Sequence, residues 1–196
     1  NIRFGVLDLE TQRSFQEVGG WHLAKWMGIS CCVVYDSEKD EYLEFLEDQI
    51  PELIEYIQNL PLVVGFNINR FDYRVLEGYS DYDFRKINTL DILDHIYRHL
   101  NFRLSLDHLA RITLNVQKCA DGLQALKWWK EGKIRDIVDY CKKDVEITRD
   151  LYLYGKKNGY LLYTNKSGSR VRVPVNWAAK PCHDNSGNST RKKPCI

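Results

Sequence analysis

The chain of 196 residues has no apolar run that reaches the roughly 20 residues of a membrane-spanning helix, and no signal-peptide pattern. A membrane partner is therefore not expected. It has no C-x-x-C pair either: the six cysteines are Cys31, Cys32, Cys119, Cys141, Cys182 and Cys195, and their spacing fits no zinc site. Cys31, Cys32 and Cys141 fall inside apolar segments, where a free cysteine behaves as a small hydrophobe. Reduced thiols in a cytoplasmic protein are the expectation. Nor is there an excess of charge. A formal net charge of +1 excludes a protein that coats long duplexes by charge alone, and permits one that grips a few phosphates near a strand end. No internal repeat is visible. The chain begins at Asn1 rather than Met and reads as a processed product or a piece of a longer protein.

What is present is an ordinary globular balance, 44% hydrophobic and 28% charged, in a length that suits one domain with a sizeable core. Apolar runs predict strands at Ile2–Leu9, Gly28–Asp36 and Tyr42–Leu46, which together read as an antiparallel meander. Between the first two lies Gln12–Trp26, a connection long enough to cover a site, with Gly19, Gly20, Trp21 and His22. Leu53, Ile54, Ile57 and Leu60 recur at helical spacing over Pro51–Leu60, and Pro61 ends that helix. Leu62–Phe66 reads as a strand buried on both faces, Asp72–Leu76 as the start of a helix, and Lys86–Leu90 as a fifth strand with a helical pattern after it through Leu100. Ser105 suits the N-cap of the next helix. Helices follow at Gly122–Trp129 and Ile134–Tyr154, the latter with Ile137, Val138, Cys141, Val145, Ile147, Thr148 and Leu151 near one stripe. Tyr160–Tyr163 and Val171–Val175 flank a Lys-Ser-Gly-Ser turn and read as a terminal hairpin. Strands first, then alternating strand and helix, give a mixed α/β layer fold.

Three short patterns carry chemistry. Asp8 and Glu10 are two apart on the first strand, so both point to one sheet face while Leu7 and Leu9 point to the other. Asp72 follows a buried strand and a loop containing Gly65 and Asn67. Tyr140 and Asp144 are four apart on a helix and share a face. Taken singly, each has an ordinary explanation: a strand end whose acids reach solvent, a helix cap, a half-buried tyrosine beside a solvated acid. Taken together, four carboxylates repel one another unless cations neutralise them, and carboxylates around a pair of Mg²⁺ ions are what phosphodiester chemistry uses.

In this order and context the patterns resemble the three motifs of the DEDD superfamily of 3′→5′ exonucleases. Asp8 and Glu10 match its D-x-E; Asn67, Phe71 and Asp72 match its second motif; Tyr140 and Asp144 match Y-x-x-x-D, the mark of the tyrosine subtype. The stretch from Gly65 to Asp72, with Thr89-Leu90-Asp91 and Leu104–Ala110, is similar to the proofreading domains of family B DNA polymerases. From about Phe4 to Tyr163 the chain is similar to stand-alone or helicase-linked ribonuclease H-like domains of the YprB type, but it contains no polymerase or helicase region.

The resemblance implies a ribonuclease H-like three-layer α/β fold over residues 1–178: a central mixed five-stranded sheet with helices on both faces, plus a C-terminal β-hairpin. A polar, disordered tail would follow at 179–196. It also implies a metal-dependent 3′→5′ exonuclease acting on single-stranded DNA or RNA 3′ ends, with a helicase or other repair enzyme as partner. Asp8, Glu10, Asp72 and Asp144 would hold two Mg²⁺ or Mn²⁺ ions about 4 Å apart, and Tyr140 would orient the attacking water. Thr11, His22, Asn67 and Phe71 would contact substrate, with Trp21 and Tyr73 as further stacking candidates. Where many relatives have a short turn after the first motif, this chain has Gly19-Gly20-Trp21-His22. Asp91 and Asp94 would lie near the site or start a helix. Trp128 and Trp129 would pack or stack, and Lys118, Lys127, Lys130 and Lys133 would form a phosphate-contacting edge or a solvated face. The competing reading is a catalytically degenerate nuclease-fold domain that binds nucleic acid or a partner protein. An endonuclease or junction-cutting member of the fold typically lacks Y-x-x-x-D on the last helix, so that motif favours the exonuclease.

Overall fold

The structure, a computed structural model, describes residues 2–116 and 122–177. The expected tail at 179–196, the end of the domain at 178, Lys118, and Cys119, Cys182 and Cys195 lie outside those residues.

Strand β1 spans Gly5–Thr11. It begins later than its apolar run suggests because Ile2 is left half exposed and Arg3 turns aside to bond Asp36. It also runs past Leu9, since Glu10 and Thr11 continue the pairing. A single turn, α1 (Phe15–Val18), follows, closed by a capping box between Ser14 and Glu17 and ended by Gly19 at φ +97°. A 3₁₀ segment, Trp21–Trp26, completes the long connection. Strands β2 (Ile29–Asp36) and β3 (Glu41–Phe45) then form the expected antiparallel meander, with Asp8 opposite Val33 and Tyr35 opposite Tyr42.

Helix α2 (Ile50–Gln58) buries Ile50, Leu53, Ile54 and Ile57, the stripe its spacing predicts, with Pro51 in its first turn. Strand β4 (Val63–Gly65) lies parallel to β1 and is closed to solvent on both faces. Helix α3 (Asp72–Leu76) has the expected bounds. The fifth strand is displaced from its expected position. Phe84–Lys86 is a 3₁₀ turn whose preceding Asp83 side chain accepts from the Arg85 N–H, so β5 forms only at Thr89–Asp91, parallel to β4. Asp91 then caps α4 (Ile92–Leu100).

Ser105 caps α5 (Leu106–Leu109) as expected, its Oγ accepting from the His108 N–H at 3.1 Å; one π-helical turn, Ala110–Leu114, extends it. Helices α6 (Gly122–Lys130) and α7 (Ile134–Asn158) follow. The whole predicted stripe of α7 is buried. The helix runs past Tyr154 because Gly155 leaves room for the Trp177 ring to lie against it, and it stops at Gly159, φ +77°. Strands β6 (Tyr160–Thr164) and β7 (Arg170–Pro174) form the expected antiparallel hairpin as a separate two-stranded sheet.

The main sheet has the order β3-β2-β1-β4-β5, which places β1 in the middle. Alternation along the strands divides the core in two. Val6, Val33 and Val64 face α4, α7 and the hairpin. Leu7, Leu9, Cys32 and Val34 face α2, α3 and the 3₁₀ segment. The result is the expected three-layer α/β fold, a mixed five-stranded sheet with helices on both faces. No helix among the described residues is long and apolar enough to cross a membrane.

Candidate metal centre

Asp8 and Glu10 project from the central strand toward α7, while Leu7 and Leu9, at 1% and 2% exposure, anchor the opposite face. α7 brings Asp144 to the same place. One carboxylate oxygen from each of Asp8, Glu10 and Asp144 lies within 4.8 Å of the others. Tyr140, one turn earlier, is buried and hydrogen-bonded to Asp144. Burial, and then the charges of Asp144, Glu10 and Asp8, hold its phenol far above the ordinary tyrosine range, so it stays protonated as a donor. The next residue, Cys141, directs its buried Sγ to Asp8, 3.3 Å from the main-chain oxygen and 3.6 Å from Oδ2. Cys32 Sγ reaches the same main-chain oxygen at 3.2 Å. Cys31, Cys32 and Cys141 are all free and buried, as expected.

Asp72 occupies a different position. β4 leaves the sheet at Gly65, where Ile68 folds back so closely that a side chain would collide with it. Asn67 then takes the left-handed conformation, φ +64°. β4 pairs with β1 only at Gly5–Val63 and Val6–Val64, so at Leu9, still paired with β2, the β4 edge is open. The Asp72 carboxylate takes that place and accepts the Leu9 N–H at 3.2 Å. Burial, reinforced by the charge of Asp8, raises its pKa well above the ordinary 3.8. Asp72 therefore stands outside the close trio, beside the strand that carries Asp8 and under the influence of its charge.

The loop between β4 and α3 is held by Asp91, which accepts from the N–H groups of Asn67 at 2.9 Å and Asn69 at 3.1 Å while capping α4. Asp94 pairs with Arg70 at 3.4 Å. Both acids thus serve the second motif's loop. The Asn67 Oδ1 accepts from Arg103 at 2.6 Å. Asn67 and Arg103 line a cleft of about 450 Å³ together with Asp8, Phe66, Ser105 and Asp144.

The other expected substrate contacts lie around the exit of β1. The buried Thr11 hydroxyl donates to the Arg13 carbonyl at 3.0 Å. His22 is exposed in the 3₁₀ segment. Trp21, 57% exposed, stacks on Phe15 at 4.4 Å and meets half-buried Phe71 edge-on at 6.0 Å. Tyr73 is buried, its hydroxyl hydrogen-bonded to that of Thr89 at 2.7 Å. Trp128 and Trp129 are half buried, and Trp128 packs edge-on to Tyr140 at 6.2 Å. Lys130 pairs with Glu17 at 2.9 Å and Lys133 with Glu131 at 2.7 Å; Lys127 is exposed.

Two contributors escaped the sequence reading: Cys141 was placed only on the apolar stripe, and Arg103 not at all. Asn67 and Arg103 are 36 positions apart, and only the folded sheet makes them neighbours. An all-oxygen set of carboxylates this close together suits a hard divalent cation such as Mg²⁺ or Mn²⁺. No curated protein matches the chain. A family model of the RNase H superfamily matches residues 7–154, from the strand bearing Asp8 and Glu10 through most of the helix bearing Tyr140 and Asp144, and the chain belongs to that superfamily.

Proposed function

We propose that the protein is a metal-dependent 3′→5′ exonuclease of the DEDD tyrosine subtype, hydrolysing phosphodiester bonds at single-stranded DNA or RNA ends. The observation that carries this reading is the convergence of Asp8, Glu10 and Asp144 within 4.8 Å, with the Tyr140 hydroxyl on Asp144. A module that only binds nucleic acid has no use for such clustered like charges, which cost stability without a cation.

Asp8, Glu10 and Asp144 would hold two Mg²⁺ or Mn²⁺ ions, with Asp72 supporting the second from outside that trio. When bound, such ions lower the pKa of water and neutralise charge on the phosphate oxygens. The remaining work falls to the protein. Tyr140, kept neutral by its acidic surroundings, is a poor base and orients the attacking water through its hydroxyl. Cys141 and Cys32, from opposite faces of the sheet, fix the main-chain oxygen of Asp8. Asn67, tied to Arg103, contacts the strand in the cleft, and Thr11, His22 and Phe71 line its terminal nucleotide at the exit of β1. The likeness to helicase-linked domains suggests a cytoplasmic role beside a helicase or another repair enzyme, which the free thiols support.

The test is digestion of 5′-labelled single-stranded DNA and RNA of one sequence with Mg²⁺, Mn²⁺ or EDTA, beside Asp8→Ala. A metal-dependent ladder that shortens from the 3′ end and vanishes in the variant is expected. No cleavage of either strand by folded protein with Mn²⁺ would transfer the reading to a non-cutting nucleic-acid-binding domain.

A further inference from the structure

The lysine edge near α6 is partly neutralised, since Lys130 and Lys133 each face a glutamate. The opposite end of α7 is different. From Gly155 to Trp177 there is no acidic residue, while Lys156, Lys157, Lys166, Arg170 and Arg172 are all exposed. Packed against this hairpin is the segment from α4 through the π-helical turn. From Arg98 to Leu114 it adds exposed Arg98, Arg103 and Arg111, with Asp107 as the one acid; Asp94, earlier on α4, is paired with Arg70. Among the described residues, none of these eight cations forms an ion pair with a carboxylate, whereas Arg3, Arg70, Arg74, Arg85, Arg135 and Arg149 all do. In a chain whose net charge is only +1, this is a concentrated basic surface.

The surface is also stiff and continuous with the cleft. The Thr113 Oγ1 donates to the Leu162 carbonyl at 2.9 Å and accepts its N–H at 3.0 Å. The His108 Nε2 accepts the Thr164 N–H at 3.0 Å. Rings interleave with the cations: Phe102, 46% exposed, meets Tyr163 edge-on at 5.9 Å, and the Arg172 guanidinium lies over Tyr160 at 4.3 Å. At one end Arg103 belongs both to this surface and to the cleft with Asp8 and Asp144. Cations without carboxylate partners, exposed rings and a direct lead into an acidic cleft fit a polyanion with flat bases.

We infer that the β6–β7 hairpin and the facing segment 98–111 form a track for the sugar-phosphate backbone of a single strand, several nucleotides from the end held in the cleft. The track rests on the proposed function only in placing that strand end. It grips phosphates and leaves base sequence unread.

The test is fluorescence anisotropy of a labelled single-stranded 20-mer in EDTA, so that binding is read without cutting. In the triple variant Lys166→Gln/Arg170→Gln/Arg172→Gln, the slope of log affinity against log salt becomes shallower by about two, at roughly 0.7 per lost phosphate contact on a single strand. The pair Arg98→Gln/Arg111→Gln, on separate elements, makes it shallower by about 1.4 and keeps the test open if the hairpin variant unfolds. With cleaving protein, the triple variant raises KM for the 20-mer and leaves a trinucleotide's rate unchanged. If nothing is cut, the exonuclease reading falls while the anisotropy still decides the track. Unchanged slopes in folded variants would overturn the inference. So would hairpin-dependent binding to anionic phosphatidylglycerol vesicles without oligonucleotide binding.

Discussion

Asp36 and Asp72 are equally closed to solvent, at 0% and 2% exposure, yet the protein treats them in opposite ways. Asp36 ends β2, opposite Gly5. It accepts from Arg3 at 2.6 Å, from the Glu38 N–H at 2.9 Å and from the Tyr56 hydroxyl. Burial pushes its pKa up, but Arg3, Tyr56 and that amide outweigh burial and hold the carboxyl well below the usual range. At Asp72 burial also pushes up, the charge of Asp8 adds to it, and the N–H groups of Asp72 itself and of Leu9 do not compensate. The first acid is surrounded by donors and fastens a corner of the sheet. The second faces the charge of another acid. Burial by itself says little about a buried carboxylate's role; the sign of what surrounds it separates structure from function.

The sharpest way to break this contrast is by activity. Asp8→Asn and Asp72→Asn should each reduce the digestion rate by roughly 10²–10³-fold, the usual cost of losing one electrostatic contributor at a reacting centre. Asp36→Asn should leave it unchanged. Initial rates on a labelled single strand with Mn²⁺ measure all three, and a large loss in Asp36→Asn would erase the distinction.

Metal response is the next largest effect. Cations that bind only the folded site should raise stability by about 2.7 kcal/mol at a hundred times their dissociation constant. Thermal melts with and without Mn²⁺ should show this gain in the wild type and in Asp36→Asn, but not in Asp8→Ala. Without metal the order reverses. Asp36→Asn should lose about 1–3 kcal/mol through weakened hydrogen bonds to a charged group, read as a lower urea midpoint. Asp72→Asn keeps an acceptor for the Leu9 N–H, removes the repulsion with Asp8, and should raise that midpoint.

The two acids also differ in how they could be read from sequence. Asp72 was legible because its motif residues sit near one another: Asn67, Phe71 and Asp72 occur in one loop, and Asp8 with Glu10, or Tyr140 with Asp144, share a face by local periodicity alone. The same local logic gave the meander, the stripe of α7 and the hairpin. Asp36 read only as the last residue of a strand, because its partner Arg3 lies 33 positions away. The displaced β5 has a related cause, since the 3₁₀ turn capped by Asp83 overrode an apolar pattern that would have started the strand too early. The unpaired cations of the hairpin were invisible for the converse reason: which charges lack a carboxylate is known only after the carboxylates have been placed.

The smallest effect is the pH dependence of stability without metal, and there the two acids should separate by sign. The folded-state pKa of Asp36 is lowered, so its contribution is complete above the ordinary value of 3.8 and is lost as pH falls through the folded value. That of Asp72 is raised, so it costs nothing below 3.8, where both states are protonated, and increasingly more as pH climbs toward the folded value. Melts of each asparagine variant against the wild type in EDTA give two difference curves. The deficit of Asp36→Asn should grow as pH rises toward 3.8 and stay level above it. The gain of Asp72→Asn should grow over the same direction but with the opposite sign. A gain for Asp72→Asn that shrank with rising pH would mean that a cation of the protein already neutralises its carboxyl, and that the repulsion with Asp8 is not what holds this corner ready for metal.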